Sequence, residues 1–161
     1  MREEFDRALA SLEWQIATDC ASRGIVPVAR EHAPSDLQAL RWAVHALRID
    51  PFGTYMFIPV WSGASDRTIW SSPAANWRFR AWHDAQHLEL RAEFDPAGER
   101  TVARLALRRT LGTYCRRILW AEVWGQIEHF QRFGVFPTDQ SAFVRACFVL
   151  GHSAALARGP Y

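Results

Sequence analysis

Apolar positions recur along this chain at spacings of three and four, with one interruption. Phe5, Leu9, Leu12 and Ile16 form such a stripe and predict an amphipathic helix over 3–22. The stretch S-R-G-I-V-P ends it, with Gly24 and Pro27 as breakers. A second helix starts at Pro34 or Ser35, and Leu37, Leu40, Val44 and Leu47 make its inner stripe. D-P-F-G, residues 50–53, closes it. The pattern then changes. Y-M-F-I-P-V-W is rich in aromatic and β-branched residues, S-G-A-S offers a turn and R-T-I-W follows. Pro59 excludes an ordinary central strand.

Helical spacing returns at Ser72 and Pro73, an N-cap followed by a first helical position, and runs to Glu93. Asp95 and Pro96 repeat that start signal for a long helix to Phe133 that Gly112 can bend and Gly134 stops. A last helix begins at Thr138 or Asp139 and ends at Gly159. The expected fold is mainly α: a single helical domain over 1–161, with about five helices and a short β-hairpin or extended insert around 55–71.

Two polar stripes interrupt the apolar pattern. Asn76, Arg80, His83 and His87 share one face of the 73–93 helix, among Trp77, Phe79, Trp82 and Leu88. Glu122, Gln126 and His129 share a face within I-L-W-A-E-V-W-G-Q-I-E-H-F. A carboxylate buried in such a segment is costly unless it is paired or ligates a cation. If the stripes meet, His83, His87, Glu122 and His129 form a ligand set for zinc, manganese or iron. The competing expectation is a structural hydrogen-bond network, with Glu122 paired to Arg78 or Arg80 and His129 satisfied in the core.

Composition narrows the chemistry. All 19 basic residues are arginine, which removes lysine Schiff bases and the phosphate-binding lysine of a Walker loop. The net charge of +2 is too small to point to nucleic acid by itself. Arg100, Arg104 and Arg108 recur every four residues and offer forks for phosphate, although a solvated helix face is the favoured explanation. Cys20, Cys115 and Cys147 are widely spaced, without a C-x-x-C pair, and are expected to be buried thiols. No apolar run approaches the ~20 residues that span a bilayer, and the N-terminus lacks a signal-peptide pattern. The expected location is cytoplasmic, with no membrane partner.

The run H-D-A-Q-H resembles the H-E-x-x-H motif of zincins, with Asp in place of Glu. That resemblance implies His83 and His87 as zinc ligands, Asp84 as base, and Glu122 or His129 as third ligand. The pair His83-Asp84 is also similar to the centre of HD-type phosphohydrolases, which are helical and metal-dependent; His45 and Asp139 would take the outer positions. Asp84-x-x-His87 and Gln126-x-x-His129 resemble the Glu-x-x-His repeats of ferritin-like di-iron bundles, with Glu99 and Glu122 completing the set. Finally, F-R-A-W-H-D-A-Q-H-L-E-L-R-A-E-F-D-P-A-G-E, A-E-V-W-G-Q-I-E-H-F and F-P-T-D-Q-S-A-F-V resemble uncharacterised bacterial and bacteriophage proteins, a likeness that implies a shared fold and no activity.

The expected function is therefore a metal-dependent hydrolase acting on a small phosphorylated or nucleotide-like substrate. Asp84, Arg80 and Gln126 would serve catalysis, and Asn76, Arg104 and Arg108 would bind substrate. One alternative is a non-catalytic phage or bacterial regulator of a protein or nucleic acid, nucleic acid being the less favoured partner. Another is a two-metal redox protein.

Overall fold

A computed structural model describes residues 1–47, 53–63, 65, 67–159 and 161. The expected mainly α fold is observed, with a small two-stranded sheet. Helix α1 (Arg2–Ser22) buries the predicted stripe of Phe5, Leu9, Leu12 and Ile16. Helix α2 (Leu37–Ala46) starts later than expected because Asp36 is its cap, accepting from the Ala39 amide at 2.7 Å. The stop signal at 50–52, and Ala64 of the S-G-A-S turn, lie outside the described residues.

The sheet corrects the hairpin expectation. Strand β1 (Ile25–Arg30) pairs in parallel with β2 (Met56–Trp61), in register from Ile25 opposite Met56 to Arg30 opposite Trp61. A parallel pair needs a crossover, and α2 lies within it. Pro27 and Pro59 disguise the strands in sequence, but a strand in a two-stranded sheet has one free edge, where a missing amide costs no ladder bond. Ile25, Ile58 and Val60 carry the pair into the core.

Helix α3 (Pro73–Leu90) packs against α1, α2 and both strands. Ser72 caps it as predicted, and Arg91 ends it in the left-handed region at φ 52°, short of Glu93. The long helix predicted over 96–133 is not continuous. Helix α4 (Pro96–Arg109) stops at Thr110, and α5 (Thr113–Trp120) restarts after Gly112 at φ 86°, a conformation that favours glycine. A π-helical turn (Ala121–Gly125) then separates α5 from α6 (Gln126–Phe133). The last predicted helix also divides, into α7 (Gln140–Leu150) and α8 (His152–Ala157), at Gly151 with φ 87°. Trp82, Ile118, Leu119, Phe143 and Phe148 join the α1 stripe in one core. Among the described residues no helix is long and apolar enough to cross a membrane.

Candidate metal centre

The five residues between α3 and α4 set the geometry of the centre. So short a connection folds α4 back along α3, which places the last turn of α3 beside the first turn of α4. Asp95 caps α4 by accepting from the Gly98 amide at 2.7 Å, and Pro96 occupies the first turn. Gly98 is required by packing: a Cβ there would stand 1.9 Å from the Glu93 carbonyl oxygen. The connection therefore lies directly on α4, and Glu99 points back at His83 and His87.

His83, His87 and Glu99 form a group whose ligand atoms all lie within 4.8 Å of one another, and which could hold a metal ion. Glu99 Oε2 is 3.2 Å from His83 Nε2, and Oε1 is 3.4 Å from His87 Nε2. Both approaches are of hydrogen-bond length, yet both imidazole nitrogens are buried without a hydrogen-bond partner. The direction, not the distance, is wrong for an N–H donor. Bonds of about 2.0–2.1 Å to a tetrahedral zinc put neighbouring ligand atoms about 3.3 Å apart, which matches these separations.

The opposite side of the His87 ring supports the same assignment. His87 Nδ1 lies 2.9 Å from the Ala92 carbonyl oxygen. A carbonyl only accepts, so Nδ1 carries the hydrogen, and the neutral ring presents a lone pair at Nε2. His83 Nδ1 lies 3.6 Å from Asp84 Oδ1. The rings of His83 and His87 meet edge to face at 4.7 Å, and Phe94 closes over His87 at 4.6 Å. His87 is wholly buried, whereas His83, Asp84 and Glu99 keep 16–20 % of their side-chain surface, so the group lies nearest the surface on their side.

The charges are tightly coupled. Burial alone would lower the His83 imidazole, but Glu99 and Asp84 outweigh it and hold the group up at about 10. Burial would likewise raise Glu99, but His83 and His87 hold its carboxyl well below the usual carboxylate range. His83 and Glu99 therefore stand as an ion pair, each holding the other in its charged form.

The second stripe does not join this group among the described residues. Glu122 sits in the π turn, accepting from Trp70 Nε1 at 3.2 Å and from Gln126 Nε2 at 2.9 Å. Burial pushes its carboxyl up to about 7, against the pull of those two donors and of Arg80. His129 repeats the tautomer of His87, with Nδ1 2.8 Å from the Val135 carbonyl oxygen, but its ring packs against Phe133 and Phe143 with no carboxylate. The breaks at Thr110–Gly112 and in the π turn rotate this stripe away from the face it would share on a straight helix. Glu99 takes the place expected of Glu122 and His129. The available signal was D-P-x-G-E directly after a helix stop, because it sets an acid on the first turn of a folded-back helix.

The remaining candidates scatter. Asn76 is buried and donates to Ser65 Oγ at 3.1 Å, tying α3 to the segment after β2. Arg80 donates to the carbonyls of Trp61 and Gly63, and its guanidinium lies over the Trp61 ring. Burial lowers its pKa, opposed by Glu122 and Asp84. Arg104 and Arg108 are exposed on α4. His45 lies in the last turn of α2 and Asp139 caps α7, so neither completes a set with His83 and Asp84. No known protein family, curated protein or solved structure matches the chain.

Proposed function

We propose that this protein is a metal-dependent hydrolase. His83, His87 and Glu99 hold one divalent transition-metal ion, zinc being the best fit to two imidazoles and one carboxylate. The observation that carries this reading is the convergence of two buried, unpartnered Nε2 atoms on one carboxylate at 3.2 and 3.4 Å. Three protein ligands would leave a fourth coordination position for water, whose pKa a metal held there would lower enough to supply hydroxide at neutral pH. Asp84 lies at His83 Nδ1, on the far side of the ring from the ion, and its role is to orient that ligand.

A phosphorylated substrate is proposed from the exposed arginines of α4 alone, and these stand on the face of that helix turned away from Glu99. Arg104 and Arg108 are exposed there, without an ion pair among the described residues. Their planar forks suit a phosphate better than a peptide bond.

Elemental analysis of the untagged protein tests the metal, and hydrolysis of 4-nitrophenyl phosphate tests the reaction. The expected result is about one zinc, manganese or iron per chain, lost together with the activity in the His83→Ala/His87→Ala variant. A protein that binds none of these ions, and whose Tm ignores them, overturns the reading and leaves the cluster as a proton-held structural network.

A further inference from the structure

A second cluster stands apart from the metal group, where α7, α8 and α6 meet. Gly151 ends α7 and turns the chain so that His152, the first residue of α8, folds back over the final turn of α7. Its Nδ1 then lies 3.6 Å from Cys147 Sγ, and its Nε2 meets the carboxylate of Glu128 on α6. A carboxylate only accepts from an imidazole, so Nε2 carries the hydrogen and Nδ1 presents its lone pair to the thiol. The order acid, imidazole, thiol is the one nucleophilic catalysis needs: a base within reach of the nucleophile, itself oriented by a third group.

Two observations indicate that the arrangement serves more than packing. The first is Gly125 in the π turn. Its backbone is helical, with φ −59°, so no left-handed conformation calls for glycine. A Cβ there would stand 3.0 Å from His152 Cε1 and 3.2 Å from Nδ1. Glycine in a helix interior is destabilising relative to alanine, and here its bare Cα makes the space the imidazole occupies. The second is that Cys147 and His152 line a cavity of about 270 Å³ together with Arg116, Arg117 and Trp120. Both arginines are exposed; Arg116 bonds to the Thr110 carbonyl, and Arg117 lies over the Phe148 ring. Neither has a carboxylate partner among the described residues, so the cavity carries unbalanced positive charge beside a thiol.

We propose that Cys147, His152 and Glu128 form a nucleophilic thiol site for small acyl compounds that carry a negative charge. The S–H proton passes to His152 Nδ1 as sulfur bonds the acyl carbon. The carbonyl electron pair moves to oxygen and returns, expelling the leaving group, which takes the proton from Nδ1. The products are a Cys147 thioester and the free alcohol or thiol. Water, deprotonated by His152, then cleaves the thioester and restores the thiol. Burial, with the charge of Glu128, pushes the Cys147 thiol up to about 12. At neutral pH the sulfur therefore keeps its proton, and attack depends on the base beside it. Glu128 and Gly125 act as positioning residues, through His152.

Cys115 and Cys20 are internal controls. Both are buried free thiols, and Cys115 donates to the Ala8 carbonyl rather than facing a base. The test is to mix the whole protein with mono(4-nitrophenyl) glutarate, an activated ester with a free carboxylate, and to locate the acyl group by peptide mass spectrometry. The expected result is a burst of about one 4-nitrophenolate per chain, with the glutaryl group on Cys147 and not on Cys20 or Cys115. His152→Ala should slow the burst on the order of a hundredfold, with the near-ultraviolet circular dichroism unchanged. Gly125→Ala retains all three members and should also slow it, because it displaces the ring. Substituting Arg116 and Arg117 with Gln should weaken saturation by the glutarate ester more than saturation by 4-nitrophenyl acetate. Acylation spread evenly over the three cysteines, no acylation of Cys147, or a burst insensitive to both His152→Ala and Gly125→Ala overturns the proposal. None of these readouts depends on a metal.

Discussion

The buried Nε2 of His87 and Oε1 of Glu99 approach within 3.4 Å without forming a hydrogen bond. Because Ala92 holds the ring hydrogen at Nδ1, the contact sets a lone pair against a carboxylate oxygen. Like-charged densities stay that close only when something positive lies between them or beside them. Glu99→Gln keeps the shape and removes the charge. In metal-free protein it should cost on the order of 3 kcal/mol at neutral pH, because the protonated His83 loses its partner. In metal-loaded protein it should weaken zinc affinity at least about tenfold. Urea unfolding and competitive zinc titration of the same variant read the two effects separately.

Metal binding to the folded state should appear directly in stability. At a free zinc concentration about a hundred times Kd, linkage adds about 2.7 kcal/mol, or roughly 5–10 °C in Tm for a domain of this size. A chelator should reverse the shift, and the His83→Ala/His87→Ala variant should not show it. Binding must also displace the proton held on His83, so zinc affinity should fall as pH falls. Calorimetry in buffers of different ionisation enthalpy counts the released proton.

Half of this centre could be read in the sequence. The spacing of His83 and His87 placed both on one turn, because i and i+4 share a helix face regardless of tertiary structure. Glu99 enters the sequence reading only through the di-iron resemblance, because its place beside His83 and His87 depends on a reversal at 91–95 that brings two helices side by side. Glu122, Gln126 and His129 were placed on one face of a continuous helix. Glu122 and Gln126 do share a face, joined by the 2.9 Å bond from Gln126 Nε2, but the group does not meet His83 and His87 among the described residues. The parallel strands were hidden by Pro27 and Pro59, which read as breakers in isolation and fit without loss on the free edges of a two-stranded sheet.

Gly98 should be as sensitive as the ligands beside it. A methyl group there meets the Glu93 carbonyl oxygen at 1.9 Å, and the clash is with backbone. Gly98→Ala must lift the 91–95 connection off α4, at a cost of ~2 kcal/mol. The same connection supplies the Ala92 carbonyl that fixes His87 and the first turn that carries Glu99. Zinc affinity should therefore fall along with stability. A control of equal destabilisation, such as Val102→Ala in the buried face of the same helix, should lower Tm and leave zinc affinity nearly unchanged. Zinc affinity retained in Gly98→Ala would show that the connection does not position the ligands.

Glu122 gives the fold a pH dependence of its own. Burial raises its carboxyl to about 7, above the ordinary value of 4.5 that it recovers on unfolding. The folded state therefore binds this proton more tightly than the unfolded state. The stability that results is fully present below about pH 4.5 and is lost as pH rises through 7, by on the order of 3 kcal/mol. Glu122→Gln removes the titration. Gln cannot ionise, and its carbonyl oxygen still accepts from Trp70 Nε1, which donates at 3.2 Å in the wild type. Gln126, which donates to the other carboxylate oxygen, must turn its amide to present oxygen to the new amide group. The variant should thus be more stable than wild type at pH 8.5 and close to it at pH 5. Urea unfolding at both values measures the difference, and a ΔΔG independent of pH would mean that Glu122 keeps an ordinary carboxylate pKa inside the π turn.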